Sequence, residues 1–96
     1  MAAYVIADIK VSKPDQYEQY RALSPGAISA AGGKFIVRGG RAETLEGTWQ
    51  PSRVVVLEFA TFQQARDFYD SELYRAARRA RAGATEHFNM IVVEGI

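Results

Sequence analysis

The sequence predicts an α+β domain of four strands and two helical stretches, in the order β-α-β-β-α-β. Three observations carry that reading. The chain opens on a strict two-residue alternation. Two stretches of helical periodicity each begin at a capping signal. A β-branched run, Val54-Val55-Val56-Leu57, lies between them.

In the opening strand Ala3, Val5, Ala7, Ile9 and Val11 point one way and Tyr4, Ile6, Asp8 and Lys10 the other, so one face is wholly apolar. Ser12-Lys13-Pro14-Asp15 starts a helix: Ser12 is placed to cap, Pro14 sits in the first turn where no donor is missed, and Asp15 completes a capping box. Tyr17, Tyr20, Leu23, Ala27, Ile28 and Ala31 recur at helical spacing. Pro25 is expected to kink or split this helix near Ser24, and Gly32-Gly33 to end it. Lys34 to Arg38 reads as the second strand, Gly39-Gly40 as a bulge, and Ala42 to Glu46 as the strand's continuation. Gly47 to Ser52, holding Trp49 and Pro51, is a loop. Arg53 to Phe59 is nearly unbroken in its apolar character, as a central strand should be. Thr61-Phe62-Gln63-Gln64 is a second capping box, opening a helix with Phe62, Ala65, Phe68 and Tyr69 inward. Ser71 caps a further helix through Tyr74 and Ala77 to about Ala82, ended by Gly83. His87 to Glu94 is the last strand, with Phe88, Met90 and Val92 on one face and His87, Asn89, Ile91 and Val93 on the other.

Right-handed crossovers turn this order into a four-stranded antiparallel sheet, strand order 4-1-3-2, with helices on one face: the ferredoxin-like fold. The helices cover the all-apolar face of the first strand. The opposite face then carries Tyr4, Ile6, Asp8, Ile36, Arg38, Val54, Val56, Glu58, Asn89, Ile91 and Val93. It is mostly apolar and needs a cover, and the simplest cover is the same face of a second copy.

Composition bounds the rest. At 96 residues there is room for one domain, 1–96, with one core. With 48% hydrophobic and 24% charged residues the chain is globular in type, not disordered. Lys+Arg is 12 against Asp+Glu 11, too balanced to imply a polyanion partner. The chain has no cysteine, which excludes disulfides, thiolate catalysis and cysteine-ligated metals and suits a reducing cytoplasm. No run approaches the ~20 apolar residues of a membrane span. The N-terminus, interrupted by Asp8 and Lys10, reads as a strand and not a signal peptide.

The run from Gly32-Gly33-Lys34-Phe35 through Arg38-Gly39-Gly40, then Leu45-Glu46-Gly47, Trp49, Pro51 and Arg53, then Glu58-Phe59, resembles the DUF thirteen-thirty family, small bacterial proteins with a domain of unknown function. Val93-Glu94-Gly95 and the paired Tyr17 and Tyr20 fit as well, so the resemblance covers essentially the whole chain. It implies a dimeric α/β barrel, two ferredoxin-like units packed sheet to sheet. The wider superfamily includes cofactor-independent monooxygenases, lactone isomerases and haem-degrading enzymes. Analogy of fold carries function only weakly.

The sharpest candidate site is the charged set on the open sheet face: Asp8, Arg38 and Glu58. The first and third strands, read as parallel neighbours, put Asp8 near Glu58. A bulge at Gly39-Gly40 that absorbs two residues brings Arg38 opposite Glu58. Carboxylates beside an arginine in an apolar barrel would have shifted pKa values suited to proton transfer. The alternative is a buried ion network that fixes register. His87 shares that face with Asn89 and is a candidate general base or haem ligand; the alternative is a surface histidine. One histidine and no cysteine make a metal site improbable, and no cofactor is implied. Tyr69 and Tyr74 flank the joint between two short helices, where Arg81 could meet an anion; they are expected as pocket residues, whereas Tyr17 and Tyr20 are expected in helix-to-sheet packing. Trp49 is read as a lid or, preferably, a dimer anchor. Arg75, Arg78, Arg79 and Arg81 are read as a solvated helix face at the negative end of its dipole. The third strand lacks the stacking aromatics of an RNA-recognition domain, so nucleic acid is rejected as a partner. The expectation is a homodimer binding a small organic molecule in its barrel. The alternative is a cofactor-independent oxygenase or isomerase for an aromatic or lactone-like substrate, with Arg38 orienting an anionic group and Asp8 or Glu58 moving a proton.

Overall fold

The computed structural model describes residues 1–96. The elements are β1 (Ala3–Val11), α1 (Pro14–Ala30), β2 (Lys34–Arg38), β3 (Arg53–Phe59), α2 (Phe62–Asp70), α3 (Glu72–Arg81) and β4 (Thr85–Glu94). The sheet order is β2-β3-β1-β4, as expected from the crossovers. Every neighbouring pair is antiparallel, including β1 with β3, against the parallel pairing expected of them. In this topology β3 runs back between two strands that run together, so it opposes both.

The alternation of β1 does what its period requires. Ala3, Val5, Ala7 and Ile9 are buried under the helices, while Tyr4, Ile6 and Asp8 stay partly open on the other face. Leu57 and Phe59 of β3 join them beneath Tyr17, Tyr20 and Ile28 of α1, Phe68 of α2 and Tyr74 of α3. Each such side chain, once buried, contributes roughly 1.5–3 kcal/mol.

The helix ends are tied by side chains from neighbouring elements. Gly32 has φ 82°, and the N–H groups of Gly32 and Gly33 donate to Ser29 and Ile28 carbonyls at 3.0 and 2.9 Å. This left-handed glycine cap closes α1. Thr61 Oγ1 accepts from Gln64 N at 3.0 Å, as a cap should, but the Gln64 side chain does not complete the box. Its Nε2 donates to the Ala31 carbonyl at 2.8 Å and so joins the start of α2 to the end of α1. Ser71 caps α3 by accepting from Tyr74 N at 3.2 Å. Gln16 Nε2 of α1 donates to the Ala80 and Ala82 carbonyls at 3.2 and 2.7 Å, filling acceptors left open at the end of α3.

Several local expectations are corrected. Ser12 does not cap α1: the N-cap is Lys13 with no side-chain bond, and the backbone N–H groups of Ser12 and Lys13 donate instead to the Ala84 carbonyl. Pro25 does not split α1. Buried residues lie on both sides of it, Tyr17 and Tyr20 before and Ala27 and Ile28 after, and their packing outweighs the ~3 kcal/mol that an interior proline costs. Phe62 and Tyr69 lie at the surface, because nine-residue α2 turns only the Ala65–Phe68 stripe inward.

The largest departure is in β2. The strand ends at Arg38, and residues 39–52 form no strand. Gly39, with φ 69°, turns the chain away, and Leu45 is left 96% exposed with nothing to pack on. The register shift lies between Phe35 and Val37, not at Gly39-Gly40. Phe35 faces Leu57, Val37 faces Val56 and Arg38 faces Val55. A one-residue shift reverses the faces beyond it, so Arg38 lies on the helix side of the sheet.

Candidate functional site

The structure does not bring Asp8, Arg38 and Glu58 together. Asp8 pairs with Val54 on β3 and Asn89 on β4, whereas Glu58 pairs with Tyr4 and Lys34. Four residues of strand separate the two carboxylates, about 13 Å. Glu58 bonds Lys34 Nζ at 3.2 Å, and Arg38 is on the other face.

Asp8 instead gathers Trp49 and His87, both singled out in the sequence, and the backbone of Ser52. Trp49 Nε1 donates to its Oδ2 at 3.1 Å, Ser52 N donates to Oδ1 at 3.1 Å, and His87 Nε2 stands 3.4 Å from Oδ1. Asn89 is its strand neighbour. The Trp49 indole above all, then Ser52 and His87, hold the Asp8 carboxyl below the usual carboxylate range, and partial burial opposes them only in part. A carboxylate with both oxygens engaged is a weak base. Its geometry is that of a latch, holding the 39–52 loop to the end of β1.

The Tyr69, Tyr74 and Arg81 group is mostly packing. Tyr74 is fully buried, and its hydroxyl shares a 2.7 Å hydrogen bond with that of Tyr20. Burial, then the neighbouring Tyr74, pushes the Tyr20 hydroxyl far above the ordinary tyrosine value. Arg81 stacks on Phe88 at 3.6 Å and Arg78 on Tyr69 at 4.1 Å. Tyr69 and Arg81 also border an open groove beside β4, walled by Ala65 and Phe68 and floored by Met90 and Val92. Its rim carries Arg66 and Asp70, one of each sign.

A different cleft has convergent chemistry. It lies between α1 and the sheet, with Val5, Ala7, Ile9, Val55, Leu57 and Phe88 as its apolar lining. Its cavity volume is only about 30 Å³, well below the roughly 300–1,000 Å³ of ordinary ligand pockets. The interior is therefore a slot. Tyr17, Arg21 and Ser24 enter from α1, Arg38 from β2 and Arg53 from β3. Tyr17, Arg21 and Arg53 continue into a shallow outer vestibule with Glu18. Burial raises the Tyr17 hydroxyl above the ordinary value, with Arg53 opposing in part, so it remains an O–H donor across neutral pH.

Of these, only Arg38 was singled out as a site residue in the sequence. A signal for Arg53 was present: alternation places it with Val55, Leu57 and Phe59 on the face the helices cover, where a charge needs a reason. Arg21 and Ser24 follow Tyr17 at helical spacing. No group of three or more histidine, cysteine or carboxylate side chains could hold a metal ion, and no helix is long and apolar enough to cross a membrane.

Fold and cleft together define a ferredoxin-like α+β domain with an arginine-rimmed apolar slot beneath its first helix. The chain belongs to the family described as Domain of unknown function (DUF1330), whose model matches residues 2–96. It is similar in fold to a protein of unknown function from Rhodopseudomonas palustris, at 19% identity and TM-score 0.75, over 99% of this chain and 82% of that one. A dimeric ferredoxin-like protein of unknown function from Jannaschia sp. CCS1 aligns at 10% identity and TM-score 0.70, over 99% and 100%. A candidate antibiotic biosynthesis monooxygenase from Nitrosomonas europaea aligns at 17% identity and TM-score 0.61, over 99% and 90%. No curated protein matches the chain.

Proposed function

We propose that the protein is a homodimer that binds a small organic molecule in the slot between α1 and the sheet of each copy. The observation that carries this is the slot itself: an apolar floor with polar side chains from three separate elements meeting at its mouth. This moves the ligand from the barrel interior to the helix side, where the bulge at Ile36 sends Arg38. The open face offers no comparable site, since Asp8 and Glu58 are both engaged within the chain. It offers an interface: Ile91 is 61% and Ile36 47% exposed, and Val37 and Val93 lie beside them. The dimeric ferredoxin-like protein from Jannaschia sp. CCS1 supports pairing with a second copy. A cytoplasmic location goes with the proposal, on the absence of cysteine.

The second reading is a cofactor-independent oxygenase or isomerase. The candidate monooxygenase from Nitrosomonas europaea supports it, together with a tyrosine O–H donor at the slot. Arg38 keeps its role of orienting an anionic group, while Asp8 and Glu58 lose theirs to Trp49, Ser52 and Lys34.

Native mass spectrometry of protein purified without added ligand tests the proposal. A dimer carrying extra mass that dissociates on collision is the expected result. A monomer contradicts the interface. A dimer that takes up no member of a broad set of small aromatic and aliphatic compounds contradicts the binding function.

A further inference from the structure

The groove beside β4 is far roomier than the slot. Its cavity volume is about 430 Å³, inside the roughly 300–1,000 Å³ of small-molecule sites. It lies between α2 and the edge of the sheet, where β4 has no neighbouring strand on its outer side. Its apolar lining is not closed by the rest of the chain. Met90 and Val92 on the floor are only half-buried, Tyr69 is 39% exposed and Ile91 61%. Phe68 and Tyr69 present rings and Met90 a thioether, the side chains against which a flat aromatic body packs well.

The groove also holds a guanidinium without a partner. Arg81 stands over the Phe88 ring at 3.6 Å, a contact that orients its charge without neutralising it. Its Nε is buried with no hydrogen-bond acceptor, and none of the salt bridges reaches it. A buried donor left unmet is costly, and folded proteins keep few of them. Asp70, the one carboxylate on the groove, is in no salt bridge, so the chain leaves Arg81 uncompensated with a counter-charge on the same rim. Arg78, one turn earlier on α3, is in the same condition: its Nε is buried and unpartnered, and its head lies 4.1 Å over the Tyr69 ring. A carboxylate that accepts from Nε and Nη of one guanidinium together supplies the missing acceptor.

The two halves of the site select jointly. A bare inorganic anion would meet Arg81 and leave Met90 and Val92 uncovered. A neutral apolar molecule would cover them and leave Arg81 unmet. Asp70 repels a second negative charge. We propose that this groove is a binding site, separate from the slot, for an aromatic monocarboxylate: the ring on Met90 and Val92 beside Phe68 and Tyr69, the carboxylate on Arg81, whose head turns to meet it. Groove and slot share Val5, Phe88 and Met90 as lining, while α2 and Arg81 belong to the groove alone.

Calorimetric titration with 2-naphthoate, 2-naphthamide, naphthalene-2,6-dicarboxylate and inorganic phosphate tests the assignment. 2-Naphthoate is expected to bind about ten-fold or more tighter than the amide and the dicarboxylate, and more weakly as salt rises, with phosphate not measurable. Arg81→Met is expected to bring the acid down to the level of its amide, and Tyr69→Leu to weaken acid and amide alike, with the melting temperature as a check on folding. Arg79→Met, exposed on α3 and outside the groove, is expected to leave binding unchanged. An amide that binds as tightly as its acid overturns the carboxylate assignment. Binding lost in Arg53→Met and retained in Arg81→Met places the acid in the slot and overturns the groove while leaving the slot reading standing. A change of oligomeric state in Arg81→Met or Tyr69→Leu with affinity unaltered assigns the groove to a second copy and overturns the proposal. No binding by any of the aromatic compounds overturns it as well.

Discussion

Removing the hydroxyl of Tyr74 is expected to destabilise the protein more than removing both hydroxyls of the Tyr20–Tyr74 pair. The two oxygens are 2.7 Å apart and both residues are buried, Tyr74 completely. Tyr74→Phe removes one partner and leaves the Tyr20 hydroxyl desolvated without its bond, at a cost of about 1–3 kcal/mol. Tyr20→Phe strands the Tyr74 hydroxyl at a similar cost. The double variant has no stranded group, and replacing both partners by apolar groups of the same shape is close to neutral. The rings stay in place, so the contacts of Tyr20 with Phe88 and of Tyr74 with Phe68 survive in all three variants. Urea unfolding at fixed protein concentration, followed by circular dichroism, measures the cycle. The single losses should not add, and the coupling energy should be about 2–6 kcal/mol in magnitude. Each kcal/mol lost lowers the melting temperature by about 4–8 °C in a domain of this size. A double variant whose loss equals the sum of the singles would refute the reasoning.

Three further outcomes follow from the geometry. Asp8→Asn replaces one acceptor oxygen by a donor facing the Trp49 or Ser52 N–H, so Trp49, the only tryptophan, should show greater acrylamide quenching. Because the folded-state Asp8 pKa is depressed, the latch contributes stability above the unfolded value of about 3.9 and loses it as pH falls through the lower folded one. The wild-type Trp49 signal should step below about pH 4 and the variant's should not; an identical step in both removes the latch. Gly33→Ala puts a Cβ 2.5 Å from the Phe59 ring in the core, and thermal melting should report a loss of about 1–3 kcal/mol, whereas an unchanged melting temperature would contradict the close packing. Ile91→Lys places a charge on the open sheet face and should convert the dimer to a monomer in analytical ultracentrifugation, while persistence of the dimer would move the interface elsewhere.

Most of the fold was legible because it rests on local periodicity. The alternation of β1, the β-branched run of β3 and the caps at Thr61 and Ser71 are encoded over a few residues each. The site was less legible because it depends on long-range register. Nothing in Lys34-Phe35-Ile36-Val37-Arg38 marks Ile36 as the bulged residue, and the glycines that do look like a bulge turn the chain out of the sheet instead. One residue of register decided whether Arg38 faced Glu58 or the slot. The direction of β3 relative to β1 decided whether Asp8 met Glu58 or, through the returning loop, Trp49 and Ser52. Arg53 was the readable exception, a charge in phase with the buried positions of its own strand.

Nuclear magnetic resonance shift mapping during titration with small aromatic and aliphatic compounds tests the place of binding most directly. Shifts concentrated at Tyr17, Ser24, Phe35, Val55 and the Arg53 side chain are the predicted result. Shifts confined to Ile6, Val54, Ile91 and Val93 on the open face, with α1 silent, would contradict it.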